Sequence, residues 1–119
     1  MHVIIWGRVD RKITFEELAA WLEGAPASIG MSPITPPLVV RTEHGLTGIR
    51  LIAESHLVAD LWYDRTPPTG RVEAFSCKEF DQSVIERAAV EALGLCDLQV
   101  TILPRGLEYL TPQTAPGGA

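Results

Sequence analysis

At 119 residues the chain has room for a single domain, and with 46% apolar and 21% charged residues it can close a core without disulfide or metal staples. Fifteen Asp and Glu against ten Lys and Arg give a net charge of −5, and no basic run is present to neutralise phosphates, which argues against a nucleic-acid partner. Apolar stretches of four or five residues fall far short of the roughly 20 that span a bilayer, and Met1 leads straight into strand-like sequence, so a cytoplasmic protein with no membrane partner is expected.

His2 to Val9 (HVIIWGRV) is rich in β-branched and aromatic residues and predicts a mostly buried first strand. Thr14 and Glu17 then fit a capping box, and Phe15, Leu18, Ala19, Trp21, Leu22 and Ala25 follow at helical spacing. Gly24 or Pro26 is expected to stop that helix, with a connection to Pro37 and a short strand at Leu38 to Thr42. Leu46 to Glu54 and His56 to Trp62 read as one long strand interrupted near Ser55. After the proline-bearing loop Asp64 to Gly70 comes a strand at Arg71 to Cys77. Asp81 or Ser83 caps a second helix whose core face is Val84, Ile85, Ala88, Ala89, Ala92 and Leu93, closed by Gly94. Cys96, Leu98, Val100 and Ile102 share one face of a last strand by period two.

The order β-α-β-β then β-α-β places two helices on one face of an antiparallel sheet, an α+β two-layer sandwich spanning residues 1–110, with 111–119 as a flexible tail. Its second face lacks a cover, and a homodimer is the simplest source of one.

Several chemical readings fail on spacing. Cys77 and Cys96 form no C-x-x-C or His-rich pattern, so neither a disulfide framework nor a metal site is expected. Ser55, His56 and Asp60 suggest a hydrolase triad, but adjacent Ser and His on a strand point to opposite faces and no nucleophile elbow is present. Gly45-Leu46-Thr47-Gly48 has neither the lysine nor the helix of a phosphate loop. His2, His44 and His56 read as strand or turn residues. On composition alone Ser55 is a small residue at a strand kink, Cys77 a buried apolar cysteine and Asp64 a solvated loop residue.

The stretch Ile52-Ala53-Glu54-Ser55-His56-Leu57, with Trp62 and Phe75-Ser76-Cys77-Lys78 after it, resembles the bacterial and archaeal S-adenosylmethionine decarboxylases of polyamine and spermidine synthesis. The likeness runs from about His2 to Leu103. It implies a proenzyme that cleaves itself between Glu54 and Ser55, leaving Ser55 as a pyruvoyl group. A serine suits this because its hydroxyl can attack the preceding carbonyl and then leave from Cβ by elimination. The ketone so formed would take the substrate amine as a Schiff base and act as the electron sink.

The same resemblance assigns Cys77 as the general acid that reprotonates the substrate carbon and Trp62 and Asp64 as substrate-binding residues. Thr47 stands where the family has a processing serine, eight residues before Ser55, and Asp60 where it has a processing histidine, five residues after. Asp is intrinsically a weaker base than His by about 2.6 pK units. Asp64 replaces a ribose-binding glutamate. Thr47 and Ser55 would lie about 26 Å apart on one extended strand at about 3.3 Å per residue, so they are expected to meet only across a dimer with two shared sites. Three functions stay open: decarboxylation of S-adenosylmethionine, pyruvoyl decarboxylation of another amino acid such as ornithine or arginine, and an unprocessed homologue that binds a ligand or partner.

Overall fold

The computed structural model describes residues 1–103. Its elements are β1 (His2–Val9), α1 (Phe15–Ser28), β2 (Leu38–Arg41), β3 (Gly45–Ile52), β4 (Ser55–Trp62), β5 (Thr69–Ser76), α2 (Gln82–Glu91) and β6 (Leu95–Leu103). The strands form one sheet in the order β2-β3-β4-β5-β1-β6, antiparallel throughout. With both helices against it, this is the expected α+β sandwich. The tail expected at 111–119 lies outside the described residues.

Thr14 caps α1 as its spacing predicts: its hydroxyl accepts from the Glu17 amide at 3.0 Å, and the Glu17 carboxylate accepts from the Thr14 amide at 2.9 Å. The helix does not stop at Gly24 or Pro26 but continues to Ser28. Pro26 has no N–H for the carbonyl of Leu22, four residues earlier. That carbonyl accepts instead from the buried guanidinium of Arg50 at 2.9 Å, and the Glu23 carbonyl accepts from the same nitrogen at 2.7 Å. A side chain from the sheet thus replaces a missing helical hydrogen bond.

The core lies between helices and sheet, where Leu18 and Leu22 of α1 and Ile85 and Ala89 of α2 meet Val3, Ile5, Ala59 and Val72. Gly48 marks the closest approach, since a Cβ there would stand 2.7 Å from Leu22 and 3.1 Å from Leu18. By the period of two, its neighbours Thr47 and Ile49 point to the opposite, open face. The register carries that face across the sheet through Thr47, Asp60, Arg71 and Trp6. Leu38, Val40 and Leu51 lie on it and are 59%, 46% and 44% exposed.

Two further expectations are corrected. The supposed long strand is a hairpin: Ala53 and Glu54 form the turn, and Ile52 pairs with Ser55. The chain reverses because Ser55 takes a positive φ of 155° and because the 32–35 segment props the turn, with Ala53 N–H donating to the Ser32 carbonyl at 2.8 Å. In β6 the register shifts between Trp6 and Arg8, and Asp97 adopts φ 52°. This bulge breaks the alternation. Leu98 faces Gly7 on the helix side, whereas Cys96 pairs with Arg8 and its thiol donates to the Arg8 carbonyl at 3.5 Å.

Candidate active site

Two groups of side chains emerge, at different places on the sheet. The first surrounds the Glu54–Ser55 peptide. Ser55 and Ser76 are register partners on β4 and β5, and the Cys77 N–H donates to the Glu54 carbonyl oxygen at 3.1 Å. Cys77 is exposed, contrary to the buried cysteine its composition suggests, because it has left β5 and begun a turn. The Lys78 N–H closes that turn on the Ser76 hydroxyl at 2.9 Å.

The Glu54 carboxylate is tied on the other side. One oxygen accepts from the Ser32 amide at 3.1 Å and the other lies 3.3 Å from the Lys78 ammonium. The Ser32 hydrogen bond foremost, then Lys78, holds the carboxyl below the usual range. The Ser55 hydroxyl lies 3.1 Å from Nδ1 of His56, so the two residues expected on opposite faces are in contact. The positive φ at Ser55 sets aside the alternation that regular strand geometry would impose.

The second group lies on the open face. The Thr47 hydroxyl donates to one oxygen of Asp60 at 2.9 Å, and Arg71 donates to the other at 2.8 Å. Asp60 is buried and both its oxygens are engaged. Arg71 lies over the rings of Trp6 and Trp62, which stack at 5.8 Å. Arg65 covers Trp62 at 4.2 Å. Beyond β4, Asp64 meets His44 Nδ1 at 2.5 Å; this hydrogen bond foremost raises the His44 pKa and lowers that of Asp64.

Within one chain the two groups do not meet. Ser55 and Asp60 are five residues apart on β4, about 17 Å at about 3.3 Å per residue. Thr47 stands directly opposite Asp60, so the hairpin shortens the separation expected for a single long strand without closing it.

The S-adenosylmethionine decarboxylase family model matches residues 10–106. The chain belongs to that family. No individual curated protein matches it. S-adenosylmethionine decarboxylases are pyruvoyl-dependent, and membership supports a lyase acting on S-adenosylmethionine. Among the described residues no group of His, Cys, Asp and Glu could hold a metal ion, and no helix is long and apolar enough to cross a membrane.

Sequence reasoning missed Arg71, His44 and the contact of His56 with Ser55. Arg71 becomes visible only once the β4–β5 register is known, because a proline-bearing loop separates it from Asp60. For His56 the signal was its adjacency to Ser55, which strand alternation argued away.

Proposed function

We propose that this S-adenosylmethionine decarboxylase is made as a precursor that cuts itself between Glu54 and Ser55 and then acts in polyamine synthesis. The observation that carries the reading is the Cys77 N–H aimed at the Glu54 carbonyl. A fixed donor on that oxygen stabilises the negative charge that develops when the neighbouring hydroxyl attacks. Lys78 and the Ser32 amide meanwhile hold the Glu54 side chain away from the reacting bond.

Once formed from Ser55, the pyruvoyl group supplies the carbonyl that draws off electrons during decarboxylation. Cys77, exposed beside it, returns a proton to the substrate carbon. Trp62 offers a stacking surface for the substrate once Arg65, which lies 4.2 Å over its ring, moves aside, with Asp64 close in sequence.

A homodimer completes the site in this reading. Thr47 and Asp60 are too far from their own Ser55 to act on it, and they share the open face with exposed Leu38, Val40 and Leu51. Two such faces pressed together bury that apolar surface. They set the Thr47–Asp60 pair of one protomer against Ser55 and Cys77 of the other.

The contact of Asp64 with His44 favours a second reading, in which the pyruvoyl chemistry serves a different amino acid such as ornithine or arginine. A carboxylate already paired is less available to ribose hydroxyls. Denaturing mass measurement tests the precursor reading: the 13.0 kDa chain should give fragments of 54 and 65 residues, the longer blocked at its amino end. Ser55→Ala should remain whole and release no carbon dioxide from S-adenosylmethionine. Persistent 13.0 kDa wild-type material would instead support the unprocessed homologue.

A further inference from the structure

We propose that His56 is the general base of the first self-cleavage step, drawing the proton from the Ser55 hydroxyl as that oxygen attacks the Glu54 carbonyl carbon. The inference rests on the self-cleavage reading above and assigns a residue to its opening step. The Ser55 oxygen lies 3.1 Å from His56 Nδ1, within reach for direct proton transfer. With the ring proton on Nε2, Nδ1 is the acceptor for the hydroxyl. The His56 ring is stacked on Phe75 at 5.7 Å and 15°, and Phe75 meets the edge of His2 at 4.9 Å, so the imidazole is held in plane beside its neighbour.

The carboxylates that could compete for the proton, in the same chain or across the proposed dimer, are engaged by other groups. Glu54 accepts from Ser32 and pairs with Lys78. Asp60 accepts from Thr47 and Arg71, about 17 Å along β4 at about 3.3 Å per residue. The contact between hydroxyl and imidazole is made at the residue whose positive φ turns the chain into β4.

In the step itself, a bond forms between Ser55 Oγ and the Glu54 carbonyl carbon, and the bond from that carbon to the Ser55 nitrogen breaks. The hydroxyl proton passes to His56 Nδ1 and from there to the departing Ser55 nitrogen. The product is an ester with a free amine on Ser55, and His56 is neutral again. The Cys77 N–H holds the carbonyl oxygen throughout.

Hydroxylamine added to the purified full chain cuts an ester at this position but not the amide, so it reads this step separately from the later elimination. Wild type should be cut to 54 and 65 residues, whereas His56→Ala should be cut about 10²- to 10⁴-fold more slowly, the range of a lost general base. Imidazole in the medium should restore much of the rate to His56→Ala, and His56→Gln, which can accept a hydrogen bond but not carry the proton, should remain slow. A His56→Ala chain of native circular dichroism that is cut at the wild-type rate, or that imidazole does not accelerate, overturns the proposal. If wild type resists spontaneous cleavage yet is cut by hydroxylamine in a His56-dependent way, the complete self-processing reading fails and the base assignment stands. If hydroxylamine leaves wild type whole, both fail.

Discussion

Arg50 donates to the Leu22 carbonyl at 2.9 Å, the hydrogen bond that Pro26 denies to its own helix. The guanidinium is buried; it also donates to the Glu23 and Thr35 carbonyls and lies 3.2 Å from the Glu23 carboxylate, which is mostly exposed. Replacing it by Met keeps much of the volume but leaves buried carbonyls without donors, at about 1–3 kcal/mol for each that water cannot reach. Pro26→Ala restores an amide for Leu22. Arg50→Met should therefore cost less in the Pro26→Ala background than alone, by about 1 kcal/mol, in a double-mutant cycle read by urea denaturation. An additive cycle would separate the two residues.

The same pair shows why parts of this fold escape a reading along the chain. Pro26 signals a stop correctly in local terms, but its compensating donor comes from β3, which no local pattern reveals. Likewise the β3–β4 hairpin has Ala53-Glu54 at its turn instead of the Asn-Gly or Asp-Gly that marks a tight reversal, and the unusual φ falls on Ser55. By contrast the Thr14–Glu17 capping box and the Asp81 cap of α2 depend on neighbours three residues apart or fewer, and both are legible. In the site, Glu54, Ser55 and Cys77 were singled out through a family motif, and the structure brings them together. The partners that hold Glu54 and Asp60, namely Ser32 and Lys78 for the first and Arg71 for the second, depend on register and loop placement.

In the proposed precursor reading Cys77 has two functions that substitution can separate. Its N–H faces the Glu54 carbonyl, while its exposed thiol is available to the substrate. Cys77→Ala keeps the amide and should cleave at near the wild-type rate, yet it should lose decarboxylation by about 10²-fold or more. Cys77→Pro removes the donor and should slow cleavage by about 10²- to 10³-fold. Gel-resolved fragments and carbon dioxide release measure the two effects on the same samples. Equal cleavage by both variants would deprive the Cys77 amide of its role.

The His44–Asp64 contact sets a pH window. His44 is raised by the Asp64 hydrogen bond and charge, so its contribution is complete below the ordinary imidazole pKa and is lost as pH rises through the higher folded value. Asp64 is lowered by His44, so its contribution is present above the ordinary carboxylate range and is lost as pH falls through the depressed folded value. The His44 ring, followed by NMR, should therefore titrate at higher pH in wild type than in Asp64→Asn. Coincident curves would mean that the pair is open in solution.

Asp60 tests the open face. Its oxygens bind Thr47 and Arg71 in a partly buried group that, in the dimer reading, faces the partner's Ser55. Asp60→Asn removes the charge beside Arg71 and should cost about 1–3 kcal/mol, less than a fully buried pair because the Arg71 side chain is 32% exposed. Its effect on processing should fall after the ester, since His56 of the same chain already lies beside the Ser55 hydroxyl and both Asp60 oxygens are engaged. Hydroxylamine should thus still cut Asp60→Asn at the wild-type rate while spontaneous cleavage slows by about 10²-fold, the low end for a lost acid or base. Asp60→His, which places an imidazole against the partner's Ser55, should recover spontaneous cleavage relative to Asp60→Asn. Mixing Asp60→Asn with Ser55→Ala supplies the sharper measurement: in a heterodimer, the Ser55 of the first chain faces an intact Asp60 from the second, and its cleavage should return. Failure to return in a demonstrated heterodimer would confine Asp60 to its own protomer and remove it from the shared site.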